Sequence, residues 1–258
     1  MSTPEIVVRP DAATLAESIA ARLVARIAEV QSGRPTASLC LTGGTIGIAL
    51  LAAVAKSPAR DAVDWSRLDL WWGDERYLPA DNPERNVEQA RTALLDGVPL
   101  DPARVHPMAA AGTYASVEDA AAAYARELAG AAHAQQLATS PSFDVCLLGI
   151  GPEGHVASLF PGEPALHDDR AVVAVHGSPK PPPTRITLTM ATLCGSQEVW
   201  IVASGDTKAG AVRLALSEEV GVLQVPAAGA RGLERTVFLL DEAAAADLPH
   251  DLRRIASP

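Results

Sequence analysis

Cysteine is scarce in this chain of 258 residues: Cys40, Cys146 and Cys194 are an odd number, far apart, each in or beside an apolar run. There is no CxxC pair, and no two histidines stand at HxxxH spacing. A disulfide framework is excluded, and reduced, mostly buried thiols with no metal site are expected. Basic residues are also outnumbered, 21 against 31 acidic, for a formal charge of −10. A nucleic-acid surface needs a basic patch, so no nucleic-acid partner is expected. No apolar run approaches bilayer-spanning length, and no basic-plus-apolar leader precedes the first strand, so a soluble cytoplasmic protein with no membrane partner is expected. The sequence does not show the oligomeric state; a monomer is the expectation.

What is there reads as an α/β protein. Apolar residues make up 48% of the chain, enough for a sizeable core. Short apolar runs at Glu5–Arg9, Ser38–Thr42, Leu68–Trp72, Val145–Ile150, Ala171–Val175, Glu198–Ala203 and Thr236–Leu240 read as strands. Arg185–Met190 reads as a strand or a strand-like entry to a helix. Helical periodicity follows Asp11, which offers an N-cap, and runs to Gly33. Further helices are expected at Ile46–Lys56, from Asn82-Pro83, over the Ala-rich Ala115–Ala138, through Val212, Leu214 and Leu216, and in the Ala-rich stretch after Asp241. Strands alternating with helices imply a largely parallel sheet with helices on both faces. With no composition shift and no internal repeat, a single domain over residues 1–258 is expected.

Four strand ends pass into Gly-containing polar loops: Thr42-Gly43-Gly44-Thr45, Gly73-Asp74-Glu75-Arg76, Gly151–His155 and Gly205–Lys208. In a parallel sheet these ends share one edge, beside which ligands bind. Gly43, Gly44 and Thr45 precede a helix, whose bare N–H groups and positive dipole end suit a phosphate. The turn has neither P-loop nor GxGxxG spacing, so no nucleotide cofactor is expected. Arg76, Arg185 and Lys208 carry the charge that a phosphate dianion needs. Taken singly, each reads first as a solvated or ion-paired surface group, and Asp74 and Glu75 read first as cap or loop carboxylates. Glu153-Gly154-His155 sets a carboxylate, a glycine and an imidazole side by side, either as proton-moving machinery or as a polar strand-ending turn. His106, His133, His167, His176 and His250 lack a comparable setting.

The segments TGGT, GDERYLPADNPERN, LLGIGPEGHVASLFPG and PKPPPTRITLT, in this order, resemble the 6-phosphogluconolactonases of the pentose phosphate pathway. The resemblance implies a doubly wound α/β fold and hydrolysis of 6-phosphoglucono-δ-lactone to 6-phosphogluconate, without metal or cofactor. With it, His155 is the expected general base with Glu153 as its orienter or electrostatic partner, and the phosphorylated sugar lactone is expected to be bound by Gly43, Gly44, Thr45, Asp74, Arg76, Asn86, Arg185 and Lys208. Related glucosamine-6-phosphate deaminases usually show Asn-Glu-Pro where this chain has Ser158-Leu159-Phe160-Pro161, and an aromatic residue at Arg76. An amino-sugar phosphate isomerase or deaminase is the alternative, as is a sugar-phosphate sensor, although no room for a DNA-binding domain is expected before Glu5 or after Asp241. The chain departs from the family pattern at Ile46 and Gly47 (usually Thr-Pro), at Glu153 (usually Asp) and at Val156 (usually Thr).

Overall fold

Alternating side chains on each buried strand face opposite ways, so strands apolar throughout require cover on both sides. The computed structural model describes residues 3–137, 139–217, 220–249 and 252, and shows how that cover is supplied. In its first half the chain runs through β1 (Glu5–Arg9), α1 (Ala12–Gly33), β2 (Ala37–Leu41), α2 (Gly44–Lys56), β3 (Leu68–Trp72), β4 (Asp74–Arg76), α3 (Asn86–Ala93) and α4 (Val117–Ala134). It continues through β5 (Val145–Gly149), β6 (Val172–Val175), β7 (Arg185–Leu188), α5 (Met190–Cys194), β8 (Glu198–Ala203), α6 (Ala209–Ala215), α7 (Pro226–Gly229) and β9 (Arg235–Asp241).

Six strands form a parallel sheet in the order β1-β9-β8-β5-β2-β3. Val145, Leu147, Trp200, Val202, Val237 and Leu239 face one side, where they pack with Leu15, Ile19 and Leu23 of α1, Leu50 and Val54 of α2, and Val87 of α3. Cys146, Leu148, Val199, Ile201, Phe238 and Leu240 face the other, against Tyr124 and Leu128 of α4, Val212 of α6, and Ile186 and Leu188 of β7. Burying each large aliphatic side chain contributes roughly 1.5–3 kcal/mol. Cys40 and Cys146 lie opposite each other on β2 and β5, both buried, and Cys194 is half-buried; all three are free thiols. None of the described helices is long and apolar enough to cross a membrane.

From β2 the chain steps outward to β3 and returns to the far side of β2 as β5. Strand order reverses there, which leaves a crevice at the carboxyl ends of β2 and β5.

Several sequence expectations need correction. Asp74-Glu75-Arg76 is not a loop but β4, paired antiparallel with β7 in a second sheet of order β4-β7-β6. The helix expected at Asn82-Pro83 starts at Asn86, because Asn82 instead closes a turn, accepting from Glu84 N at 2.9 Å on its side chain and from Arg85 N on its carbonyl. The long Ala-rich helix starts at Val117, where the Ser116 hydroxyl accepts from Asp119 N, and ends at Ala134; Ala138 lies outside the described residues. After Asp241 the chain makes turns over 242–247 rather than a helix, with Ala244 N donating to Asp241 Oδ1 at 2.7 Å. His250 also lies outside the described residues.

Strand β3 is an edge strand, and its outer backbone is covered from α4 and the preceding loop. Tyr124 Oη accepts from Trp72 N at 3.0 Å, and His106 N donates to Leu70 O at 2.9 Å. The His106 ring stacks on Trp71 with centroids 3.8 Å apart. Burial pushes the His106 imidazole down, but hydrogen bonds to Asp69 and Glu127 raise it to about 9. The Tyr124 hydroxyl is testable alone. Tyr124→Phe leaves the buried Trp72 N–H without an acceptor and is expected to lower stability by about 1–3 kcal/mol. Urea denaturation reads this as a lower midpoint at constant slope; an unchanged midpoint would remove the hydroxyl from the account of the edge.

Candidate active site

The crevice at the strand reversal opens into a cavity of about 570 Å³. Its wall joins residues from all four Gly-containing strand ends: Gly43, Gly44 and Thr45; Asp74 and Arg76; Gly151 and His155; and Lys208. Asn86 and Arg185 also line it. Of the sequence-predicted residues only Glu153 is not part of the wall; it stands beside His155, with Oε1 3.0 Å from His155 Nδ1. Lys180, which the sequence reading did not single out, lines the cavity too.

The ends of β2 and β5 are tied together where the cavity begins, Gly149 N donating to Thr42 Oγ1 at 3.3 Å. Gly43 caps α2 with no side-chain hydrogen bond, and Gly44 has φ +82°, so the first turn of α2 faces the cavity with no capping side chain over it. A Cβ on Gly43 would lie 2.0 Å from Asn86 Oδ1, so glycine is required for this packing. Gly47, where the family usually has proline, sits against the strand end: a Cβ there would meet Thr42 O at 2.8 Å.

Strand β4 and the start of α3 are built around two carboxylates. Glu75 is buried and caps α3, its Oε1 accepting from Asn86 N at 2.7 Å and its Oε2 from Val87 N at 3.0 Å. Burial pushes its carboxyl up against the opposing pull of those N–H groups and of Arg85. Asp74 turns toward the cavity. Its Oδ2 accepts from Ser158 Oγ at 2.6 Å and lies 3.8 Å from Arg185 Nη1, while Asn86 Nδ2 donates to its carbonyl at 2.9 Å. Arg185 Nε and Nη2 donate to the carbonyls of Pro182, Lys180 and Pro181 at 3.0–3.2 Å, so much of this guanidinium holds the Pro-rich turn in place. Arg76 Nη1 donates to the Glu84 carbonyl.

The turn after β5 carries the imidazole. Gly149, Gly151 and Gly154 stand at GxGxxG spacing after a strand, but no helix follows them, so this is not a dinucleotide-binding turn. A side chain at Gly151 would collide with His155 Nδ1 at 1.9 Å and Glu153 Oε2 at 2.8 Å; Gly154 has φ +87° and a Cβ there would meet Val225 Cγ1 at 2.7 Å. Ala157, also on the cavity wall, holds a left-handed φ of +49°, a conformation costly for a residue with a Cβ. The His155 ring lies 4.5 Å from Phe160, centroid to centroid. Burial and then Lys180 push the imidazole below its ordinary value, against the opposing pull of Glu153 and Asp74. Val156 packs in the core instead of on the wall, so a hydroxyl there would not face the cavity.

Lys208 follows a loop secured by β9: Gly205 N donates to both carboxylate oxygens of Asp241 at 3.1 Å. Burial and the nearby Lys180 push the Lys208 amine down, with Glu153 opposing. The cations therefore fall into two sets: Lys208 feels the charge of Lys180, while Arg185 lies opposite Arg76 in the β4–β7 ladder with Nη1 3.8 Å from Asp74 Oδ2. In a chain of formal charge −10, the described wall carries four cations against one carboxylate, Asp74. Such a cavity suits an anion held by helix N–H groups and ammonium groups, next to an imidazole able to take a proton. Among the described residues, no group of three or more His, Cys, Asp or Glu is placed to hold a metal ion.

Comparison with known proteins agrees with this architecture. The family described as glucosamine-6-phosphate isomerases/6-phosphogluconolactonase matches residues 10–238. A 6-phosphogluconolactonase of Streptomyces coelicolor is 59% identical over 99% of this chain and 98% of its own length. One from Mycobacterium tuberculosis is 49% identical over 93% of this chain and 96% of its own. The solved structure of 6-phosphogluconolactonase from Trypanosoma brucei superposes with a TM-score of 0.81 at 28% identity, covering 96% of this chain and all of that one. A match over most of the chain, together with relatives this similar over their full lengths, means that the protein belongs to the glucosamine-6-phosphate isomerase/6-phosphogluconolactonase family.

Proposed function

We propose that this protein is a 6-phosphogluconolactonase, hydrolysing 6-phosphoglucono-δ-lactone to 6-phosphogluconate in the oxidative branch of the pentose phosphate pathway. The full-length likeness to the Streptomyces coelicolor 6-phosphogluconolactonase carries this reading. The cytoplasm, where a sugar phosphate is retained, is the proposed location.

The cavity supports a mechanism in which His155 is the general base. Burial opposes ionisation of Glu153, but its own backbone N–H, His155 and Lys180 hold it below the usual carboxylate range, so it is an acceptor only. Neutral His155 must then donate from Nδ1 to Glu153 and keep its lone pair on Nε2. A water deprotonated by Nε2 attacks the lactone carbonyl carbon, and the carbonyl oxygen becomes an oxyanion. Collapse of that intermediate breaks the bond to the ring oxygen, which takes the proton back from the imidazolium. Arg76 and Arg185, beside Asp74, stand on the side of the sugar ring and the oxyanion. The phosphate lies against the N–H groups of Gly44 and Thr45 with Lys208, Gly43 letting the backbone approach where Asn86 fills the space a side chain would need.

His155→Gln keeps polarity and removes basicity. It is expected to lower kcat by about 10²–10⁴-fold with little change in KM. Only the neutral imidazole accepts a proton, and the structure holds His155 below its ordinary value of 6.5. The kcat/KM profile should therefore rise with pH through a midpoint below that value, once the spontaneous hydrolysis of the lactone is subtracted. A His155→Gln protein with undiminished kcat rules out the base assignment. For the phosphate, Lys208→Ala removes a charge-assisted contact of about 1.5–3 kcal/mol. The loss in kcat/KM should be confined to the phosphorylated lactone; equal proportional losses on the unphosphorylated lactone would place Lys208 elsewhere. Activity is expected to survive exhaustive chelation, and a loss restored only by a divalent cation would overturn the metal-free mechanism.

A further inference from the structure

Lys180 is the cavity cation to which the mechanism above gives no contact with the substrate. It sits on the Pro-rich turn, where its own N–H meets Ser178 Oγ at 3.3 Å and Ser178 N donates to Pro183 O at 2.9 Å. Arg185 holds the turn from the other side through the carbonyls of Lys180, Pro181 and Pro182. From this fixed base Lys180 Nζ reaches Glu153 Oε2 at 3.2 Å, and the other oxygen of the same carboxylate, Oε1, is 3.0 Å from His155 Nδ1. The carboxylate thus bridges an ammonium and an imidazole, one oxygen to each, over Gly151, which leaves no room for a side chain beneath them.

We infer that Lys180 is a positioning residue for His155: by occupying one oxygen of Glu153 it fixes the carboxylate so that the other accepts a hydrogen bond from Nδ1–H, leaving Nε2 as the basic nitrogen toward the cavity. The inference rests on His155 being the general base. A free glutamate side chain has three rotatable bonds, so a single contact to the imidazole leaves its carboxylate able to swing away. A second contact to a cation on a different, anchored segment removes that freedom. The longer side chain at position 153 is what spans the two: an aspartate there is one methylene shorter. Lys180 has a second effect of opposite kind. Its charge disfavours the imidazolium, whereas Glu153 and Asp74 favour it, and Lys208 faces both Lys180 and Glu153. Lys180 therefore adds to burial in keeping the base neutral while its partner keeps it oriented.

The test uses the full-length protein labelled with ¹⁵N in histidine, with ring-nitrogen spectra of His155 recorded where the imidazole is neutral, beside steady-state kinetics. The wild type should show the tautomer protonated at Nδ1. Lys180→Met should shift the population toward the tautomer protonated at Nε2, lower kcat by up to about 10²-fold with little change in KM, and move the acid limb of kcat/KM to higher pH. Lys180→Arg should restore both the tautomer and the limb. In a Glu153→Gln background, Lys180→Met should cause no further loss of kcat, since there is no carboxylate left to hold. Lys180 is part-exposed, so these variants are expected to fold, and Lys180→Gln provides a second neutral side chain. A Lys180→Met protein with the wild-type tautomer and a raised KM confined to the phosphorylated lactone would overturn the inference and make Lys180 a phosphate contact. An unaltered tautomer with unaltered kinetics would overturn it as well. Failure of the base assignment is read separately, from His155→Gln, because the tautomer comparison does not depend on turnover.

Discussion

Everything at the cavity depends on β2 and β5 being neighbours although the chain visits β3 and α4 between them. Parallel strands need long crossovers, and where successive crossovers leave in opposite directions no connecting segment covers the strand ends. The Gly149 N–H to Thr42 Oγ1 bond closes the two ends onto each other just below that opening. Above it, the helix that follows β2 points its first turn inward and the turn that follows β5 points His155 inward. The bare helix start and the imidazole therefore meet on one cavity wall without any specialised domain between them.

The second sheet explains how residues distant from this reversal reach it. Strand β3 continues after a single glycine into β4, which leaves the parallel sheet to pair with β7. That step carries Asp74 and Arg76 over the crevice and brings Arg185, opposite Arg76 in the ladder, to the same wall. The polar groups there are interlocked: Ser158 and Asn86 hold Asp74, Glu75 holds the start of α3, and Arg185 holds the Pro-rich turn. Buried charge is tolerable in this form because nearly every member has a partner. Asn86 Oδ1 is an exception among the described residues, packed against Gly43 with no donor.

Electrostatics in this protein work against the sum of its charges. The molecule as a whole repels a sugar phosphate, yet the cavity wall gathers Arg76, Lys180, Arg185 and Lys208. Drawing cations together lowers their proton affinity, and both Lys208 and Arg185 are held below their ordinary values, chiefly by burial. An anionic ligand relieves that repulsion, which is a physical reason for the site to prefer a phosphorylated compound.

By itself the sequence determined the alternation of strands and helices, the two-sided burial of the strands, and the placing of four polar turns at strand ends. These follow from local periodicity and from where glycine interrupts it, which is why Gly43, Gly44, Thr45, Asp74, Arg76, His155 and Lys208 could be named before any contact was known. Arg185 was named for its charge, and the family motifs added Asn86. What only the tertiary structure decided concerns partners distant in the chain. Asp74–Arg76 is too short to announce itself as a strand, and becomes one only because Arg185–Leu188 lies alongside. Asn82-Pro83 has the look of a helix start, yet α3 begins where the carboxylate of Glu75 reaches back to meet its first N–H groups. Lys180 reads in sequence as one charge in a Pro-rich bend, and acquires a neighbour in Glu153 only when that bend folds over the turn after β5. Nor did sequence rank burial against Glu153 at His155. Burial prevails because Phe160 and the surrounding wall withdraw the ring from water while Lys180 opposes the carboxylate, and both facts are properties of the assembled cavity.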